Sequence, residues 1–299
     1  MTIALAPQRP LPGLLDAVAP AEAWRAGLVI DGGHPFFFDH PLDHVPGIQL
    51  VTALLELVRA AAAGTAPDGP GRIDTALWFP QFCELDEPTE LRVVRPAAGG
   101  ECWSVQAAQS RGSVCQGWVR YHSEVCDAGA PMASPTAGTT GPDRADGALV
   151  HRARPENILV GPVRRDEGGV GRAALVRSSA EDHFFTVRGA GVRHCEELIE
   201  AARQVAVLQW PSEHAWPVDV RLTLNRLRAD LPAAVAADRD LELRWQPRPL
   251  RGTKSTARVE LHDRAEPGAG RDAVPLGRFV IETQGFTEPQ WRQLRAGAR

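Results

Sequence analysis

The sequence predicts an α+β fold built twice over, and three observations carry that reading. The stretch CDAGAPMASPTAGTTGPDRADG (126–147) is rich in Gly, Pro, Ala, Ser and Thr, has no hydrophobic period, and separates two segments of similar size. Each segment holds one long run of helical periodicity. In each, a short strand-like run precedes the helix and several strand-like runs follow it, the mark of an internal duplication.

In the first segment Leu28-Val29-Ile30 reads as a short strand that ends at Asp31-Gly32-Gly33. HPFFFDHPLDHVPG (34–47) reads as a loop. Ile48, Val51, Leu54, Leu55 and Val58 then recur at helical spacing, up to an alanine run and Gly64. Strand-like runs follow: ALWFPQFCEL, ELRVVRP, CWSVQAAQS and VCQGWVRYH. In the second segment Ile158–Val160 and Ala173–Val176 read as strands, and Leu198, Ile199, Ala202, Val205 and Ala206 form a helix face. VDVRLTL, LELRWQ, TARVEL and GRFVIETQG complete it. The expected domains are 1–125 and 147–299, with 126–146 a flexible linker.

Composition narrows the function. The chain has 299 residues, 43% of them hydrophobic, and a net charge of −4. No basic surplus is available for phosphate contacts, which argues against a nucleic-acid partner. One lysine (Lys254) stands against 32 arginines. Cys83, Cys102, Cys115, Cys126 and Cys195 show no CxxC spacing, so reduced thiols are expected rather than a zinc knuckle or disulfides. The other histidines show no metal-ligand spacing, and no metal is expected. The N-terminus lacks the pattern of a signal peptide, and no apolar run approaches the roughly 20 residues a membrane helix needs. A cytoplasmic protein with no membrane partner is the expectation.

The segment HPFFFDHPLDHVPG, with three His and three consecutive Phe, resembles the A-factor biosynthesis (AfsA) hotdog family. WFPQFCELDEP (78–88) continues the likeness. VHRARPENILV (150–160), DHFFTVRGAGVRHCEELIEAARQ (182–204) and VDVRLTL (218–224) resemble that family's other domain. The resemblance covers most of both halves, with the two domains in swapped order. A wider resemblance is to hotdog 3-hydroxyacyl-carrier-protein dehydratases, which build each site between two hotdog units, with a histidine from one and an acid from the other. The implied fold is a tandem (double) hotdog, each unit a curved antiparallel sheet wrapped around a long central helix.

Aligning the two helices with a shift of 148 places Thr52 opposite Glu200 and His40 opposite Arg188. The first half keeps histidines and lacks the acid; the second keeps the acid. The candidate catalytic residues are therefore His40 and Glu200, with His44 the other candidate base. An imidazole can take a proton near neutral pH, and a carboxyl half-buried at a seam is expected to have a raised pKa and to donate. Asp39 and Asp43 either orient the imidazoles or cap the turn. Gly47 either offers a backbone N–H to a thioester carbonyl or simply starts the helix with Pro46. Arg203, with Gln204 in EAARQ, either holds a substrate phosphate or carboxylate or is a surface or Glu200-paired arginine.

Three functions are compatible with this reading. The first is a dehydratase, a hydro-lyase acting on a 3-hydroxyacyl thioester held by an acyl carrier protein in a polyketide or other natural-product pathway. The second is the AfsA-type transfer of a 3-oxoacyl group to dihydroxyacetone phosphate. The third is a non-catalytic acyl-binding partner subunit. No cofactor is expected beyond the carrier's own phosphopantetheine. The chain is expected as a monomeric pseudo-dimer or a homodimer.

Overall fold

The computed structural model describes residues 23–62, 71–95, 101–122, 143–178, 180–188, 191–264 and 274–298. It divides into two compact units, Met1–Glu124 and Val125–Arg299. Among the described residues, antiparallel sheet with a few helices predominates, as in a hotdog fold. No helix of the described residues is long and apolar enough to cross a membrane.

The first unit contains β1 (Ala23–Gly27), α1 (Gly47–Ala62), β2 (Arg72–Trp78), β3 (Glu90–Val94), β4 (Cys102–Gln109) and β5 (Gly112–His122). Its strands pair antiparallel in the order β1-β3-β4-β5-β2. Gln109 faces Gly112 across a two-residue turn, and Gly112 has φ +122°, a conformation that glycine adopts at least cost. Helix α1 packs on β3, β4, β1 and β5. It is buried on nearly every face, including Gln49 and Thr52 as well as the expected apolar positions.

Two strand boundaries differ from the sequence expectation. Leu28–Ile30 is not a strand, because its partner runs out: Gly27 pairs with Glu90, and Leu28 N–H reaches Thr89 O as a last rung. The run from Ala76 to Leu85 ends as a strand at Trp78, two residues before Pro80, which has no N–H to give a ladder. The following loop is held instead by Gln109. Its amide donates to Glu84 O, Glu87 O and Thr89 Oγ1, and its Oε1 accepts from Glu84 N–H.

The second unit opens with α2 (Gly147–Val150) and a 3-10 turn at Pro155–Asn157. There follow β6 (Arg164–Arg165), β7 (Gly171–Ala174), α3 (Phe184–Arg188), β8 (Val192–His194) and α4 (Cys195–His214). The unit ends with β9 (Arg221–Pro232), β10 (Ala234–Ala236), β11 (Leu241–Trp245), β12 (Lys254–Asp263), β13 (Gly277–Phe286) and α5 (Glu288–Ala298). Six strands pair antiparallel in the order β9-β13-β12-β11-β7-β6, and β8 pairs separately with β10. Helix α4 lies against β12, β13 and β9.

Ile158–Val160, expected as a strand, makes only one bridge, Val160 with Leu175. A side chain takes the place of the ladder: Gln204 donates to Asn157 O and accepts from Leu159 N–H, each at 2.8 Å. Of the expected linker, 126–142 lies outside the described residues. Its last four residues belong to the fold. Arg144 donates to the carbonyls of Ile158 and Arg177, Ala145 N–H donates to Val160 O, and Asp146 caps α2 by accepting from Ala148 N–H. Cys83, Cys102, Cys115 and Cys195 are free thiols; Cys126 lies outside the described residues.

Candidate functional site

In the first unit the site is built from the loop that leads into α1. His34 N–H donates to Asp31 O, and Phe38 N–H donates to His34 O. His34 Nδ1 accepts from the N–H groups of Phe36 (3.1 Å) and Phe37 (3.3 Å), so a neutral His34 carries its proton on Nε2. Burial pushes the His34 pKa down, which favours that acceptor role. Phe36 and Phe37 are fully buried and meet edge to face, with ring centroids 5.1 Å apart. These rings are packing beneath the loop.

That packing presents two imidazole–carboxylate pairs. His40 Nδ1 lies 2.7 Å from Asp39 Oδ1, and His44 Nδ1 lies 2.7 Å from Asp43 Oδ1. Their burial differs. The Asp39 side chain is 0% exposed while His40 is 34% exposed; Asp43 is 47% exposed while His44 is 17% exposed. A carboxylate removed from water holds its partner more strongly than one that water solvates. His40 is thus an accessible imidazole held by a buried anion. His44 instead rests edge-on against Phe82, with centroids 5.1 Å apart. Val45 N–H donates to Cys83 O, and Gly47 begins α1.

The second unit repeats the loop. His183 N–H donates to Ala180 O, Val187 N–H donates to His183 O, and His183 Nδ1 accepts from Phe185 N–H at 3.4 Å. The matching bonds fix a shift of 149 in this loop, one more than the 148 used for the helices. Arg188 therefore falls opposite Asp39, not opposite His40, whose counterpart is Gly189, outside the described residues. Arg188 itself lies over the Phe184 ring, 4.9 Å from its centroid.

Glu200 is brought together with Arg203 and Gln204, and with a residue to which the sequence reading gave no role, Arg152. The Glu200 side chain is wholly buried. Arg152 donates to its Oε1 from Nη2 (2.6 Å) and Nε (3.2 Å). Arg203 donates to Oε2 from Nε (2.7 Å) and to Oε1 from Nη2 (2.8 Å), and Gln204 donates to Oε1 at 2.9 Å. Burial alone would raise this carboxyl. The Arg152 and Arg203 guanidiniums outweigh it and hold the pKa down at about 2. The expectation of a raised, proton-donating Glu200 is reversed: at neutral pH it is an anion with five hydrogen bonds. Arg203 takes the Glu-paired alternative. The network joins RPEN to EAARQ, clamping 152–159 to α4.

His183 belongs to the same neighbourhood. Burial, then the charges of Arg152 and Arg144, lowers its pKa to about 4. Among the described residues no group of three or more His, Cys, Asp or Glu is placed to hold a metal ion.

Residues 134–270 match the A-factor biosynthesis hotdog domain. The match takes in RPEN and EAARQ and does not extend to the His40 loop. The chain is 42% identical over 76 residues to a 2-oxo-3-(phosphooxy)propyl 3-oxoalkanoate synthase from Streptomyces virginiae, and 39% identical over 92 residues to one from Streptomyces coelicolor. These alignments cover 25% and 29% of this chain, and the chain spans about a quarter of the length of those relatives. Among solved structures, the dehydratase domain from the CurJ module of the curacin polyketide synthase is similar, with TM-score 0.58 and 14% identity over 95% of this chain and 97% of that one. The dehydratase domain of the polyketide PpsC from Mycobacterium tuberculosis gives TM-score 0.56 and 13% identity over 90% of this chain and 94% of that one. At such identity the likeness is one of fold. Over residues 134–270 of its second half, the chain is similar to the A-factor biosynthesis hotdog domain.

Proposed function

We propose that this chain is a tandem of two hotdog units, each with its long helix at the centre, and that it transfers a 3-oxoacyl group from a carrier-protein thioester to an alcohol. His40 is the base and Asp39 its support. The observation that carries the reading is a contrast: an accessible imidazole held by a buried carboxylate in one unit, and a Glu200 that has no proton to give in the other. Acyl transfer needs a base and no strong acid. The acceptor hydroxyl gives its proton to His40 Nε2, its oxygen attacks the thioester carbonyl, and the C–S bond breaks. The leaving thiolate is stable enough to depart, and it takes the proton back from His40. A backbone N–H at Gly47 is suited to the oxyanion formed on the way. The name shared by the two Streptomyces relatives supports a phosphorylated three-carbon acceptor of the dihydroxyacetone phosphate type.

Dehydration of a 3-hydroxyacyl thioester is the second reading, favoured by the likeness to polyketide dehydratase folds across nearly the whole chain. It needs an acid for the departing hydroxyl, and Glu200 fills that role only if its two arginines release it.

Carrier protein loaded with 3-oxoacyl or 3-hydroxyacyl groups, incubated with and without dihydroxyacetone phosphate and read by intact mass, separates the readings. Acceptor-dependent unloading supports transfer. Loss of one water from the 3-hydroxyacyl carrier supports dehydration and overturns transfer. An unchanged carrier in both arms supports a binding subunit and overturns both enzymatic readings.

A further inference from the structure

Helix α1 carries two buried polar side chains one turn apart, Gln49 and Thr52, both 0% exposed. Residues at i and i+3 are neighbours on one helix face. Gln49 Nε2 donates to Val29 O at 3.1 Å, which fixes the amide and defines where Oε1 lies. Among the described residues nothing donates to Gln49 Oε1, and Thr52 Oγ1 has no hydrogen-bond partner. A helical threonine usually bonds back to the carbonyl four residues earlier, and Thr52 does not use that outlet. Buried polar atoms in folded proteins are nearly always paired. Two orphans on one face of one helix call for a common partner.

The same register on the other helix shows what has been left out. A shift of 148 places Gln49 opposite Glu197 and Thr52 opposite Glu200. Both of those carboxylates are buried and each meets arginine: Glu197 meets Arg193 at 2.7 Å, and Glu200 meets Arg152 and Arg203. On α1 the pair is neutral. A charged ligand group would lose its water there without a counter-charge, so the partner is neutral too. Its hydrogen-bonding pattern follows from the atoms. Gln49 Oε1 only accepts, while Thr52 can donate. A carbonyl would serve Thr52 and leave Gln49 bare, and an amide N–H would do the reverse. A hydroxyl serves both, donating to Gln49 Oε1 and accepting from Thr52 O–H. Gln49 also ties α1 to the chain that leads into the His40 loop, since it holds Val29 O, five residues before His34.

We infer that Gln49 and Thr52 form a recognition site for a substrate hydroxyl, a specificity determinant rather than the remnant of a lost acid. This rests on the reading of the chain as a protein that takes acyl thioesters. The hydroxyl has two possible sources, the 3-position of the acyl chain or the alcohol acceptor.

The test uses binding rather than turnover. Titration calorimetry compares two ligand pairs that differ by one hydroxyl. One pair is uncleavable 3-hydroxyacyl- and acyl-pantetheine amides; the other is dihydroxyacetone phosphate and acetonyl phosphate. The native protein is expected to favour the hydroxylated member of one pair by roughly tenfold, and the preferred pair names the source. Thr52→Val should erase the preference and Thr52→Ser restore it, while the melting temperature of Thr52→Val stays level or rises. If Thr52→Val does not fold, Thr52→Ala carries the same comparison. The proposal is overturned by no hydroxyl preference in either pair, failure of all four ligands to bind included. It is equally overturned by a preference that survives loss of the Thr52 hydroxyl, or by a lower melting temperature with unchanged binding, the sign of a purely internal bond. A hydroxyl preference without turnover of either carrier leaves the site standing and removes the enzymatic reading.

Discussion

Asp39 and His40 adjoin in sequence and face each other across 2.7 Å, the carboxylate wholly buried and the imidazole one-third exposed. An anion in that position fixes the ring and its tautomer, which leaves Nε2 to take the proton. Asp39→Asn keeps the shape and removes the charge. It is expected to cut turnover by roughly 10²-fold or more while substrate binding changes little. Asp43→Asn, at an exposed carboxylate, should cost much less. The check is acceptor-dependent unloading of acyl carrier protein, followed for both variants. A large loss in Asp43→Asn beside an unaffected Asp39→Asn would move the base to His44.

The run HPFFFDHPLDHVPG made the loop legible, and helical spacing from Ile48 to Val58 made α1 legible, because both are local patterns. What separates His40 from His44 is not local. Both stand in an Asp-His pair, and tertiary burial, which takes Asp39 out of water and leaves Asp43 in it, separates them. Glu200 was visible in EAARQ, but its protonation state is set by Arg152, 48 residues earlier in the chain. The strand expected at Ile158–Val160 is cut short for the same reason: Gln204 takes the Leu159 N–H that a ladder would have used. Buried polar partners spaced 45 to 48 apart leave no periodic signature.

His34 offers a control within the same loop. Its Nδ1 is occupied by two backbone N–H groups, so its role is structural. His34→Ala should lower stability by roughly 1–3 kcal/mol, the cost of leaving buried donors unmet, with activity falling as the loop loosens. His40→Asn, whose amide can still donate to the buried Asp39, should leave stability nearly unchanged and abolish turnover. Paired urea melts and turnover assays check this, and the converse pattern would reassign both residues.

The Glu200 network makes a stability prediction that competes with a catalytic one. Glu200→Gln preserves shape but leaves the buried Arg152 without its counter-charge, which is expected to cost roughly 3–5 kcal/mol. Arg152→Met should be comparably costly, and the double variant should cost less than the sum of the two. Urea denaturation of all three measures this. A Glu200→Gln variant with native stability and no turnover would show that the carboxylate serves the chemistry and not the clamp.

Acid should dismantle the second unit in two steps, because two of its buried groups have depressed pKa values for different reasons. His183, lowered from 6.5 to about 4 by burial and then by Arg152 and Arg144, is neutral when folded and takes up a proton more readily when unfolded. Its contribution is therefore complete above pH 6.5 and drains away as pH falls towards 4. Glu200, whose arginines outweigh its burial and bring it from 4.5 to about 2, follows the same sign in a lower window. Its contribution is complete above pH 4.5 and is lost as pH falls towards 2. Each step is worth on the order of 3 kcal/mol at about 1.4 kcal/mol per pKa unit. Urea midpoints followed from pH 7 to pH 3 should decline first between 6.5 and 4, and then more steeply. His183→Gln should lessen the first decline, to which His214 and His262, also lowered by burial, contribute, and leave the second in place. A variant that keeps the full decline between pH 6.5 and 4 would place the responsible proton on another group.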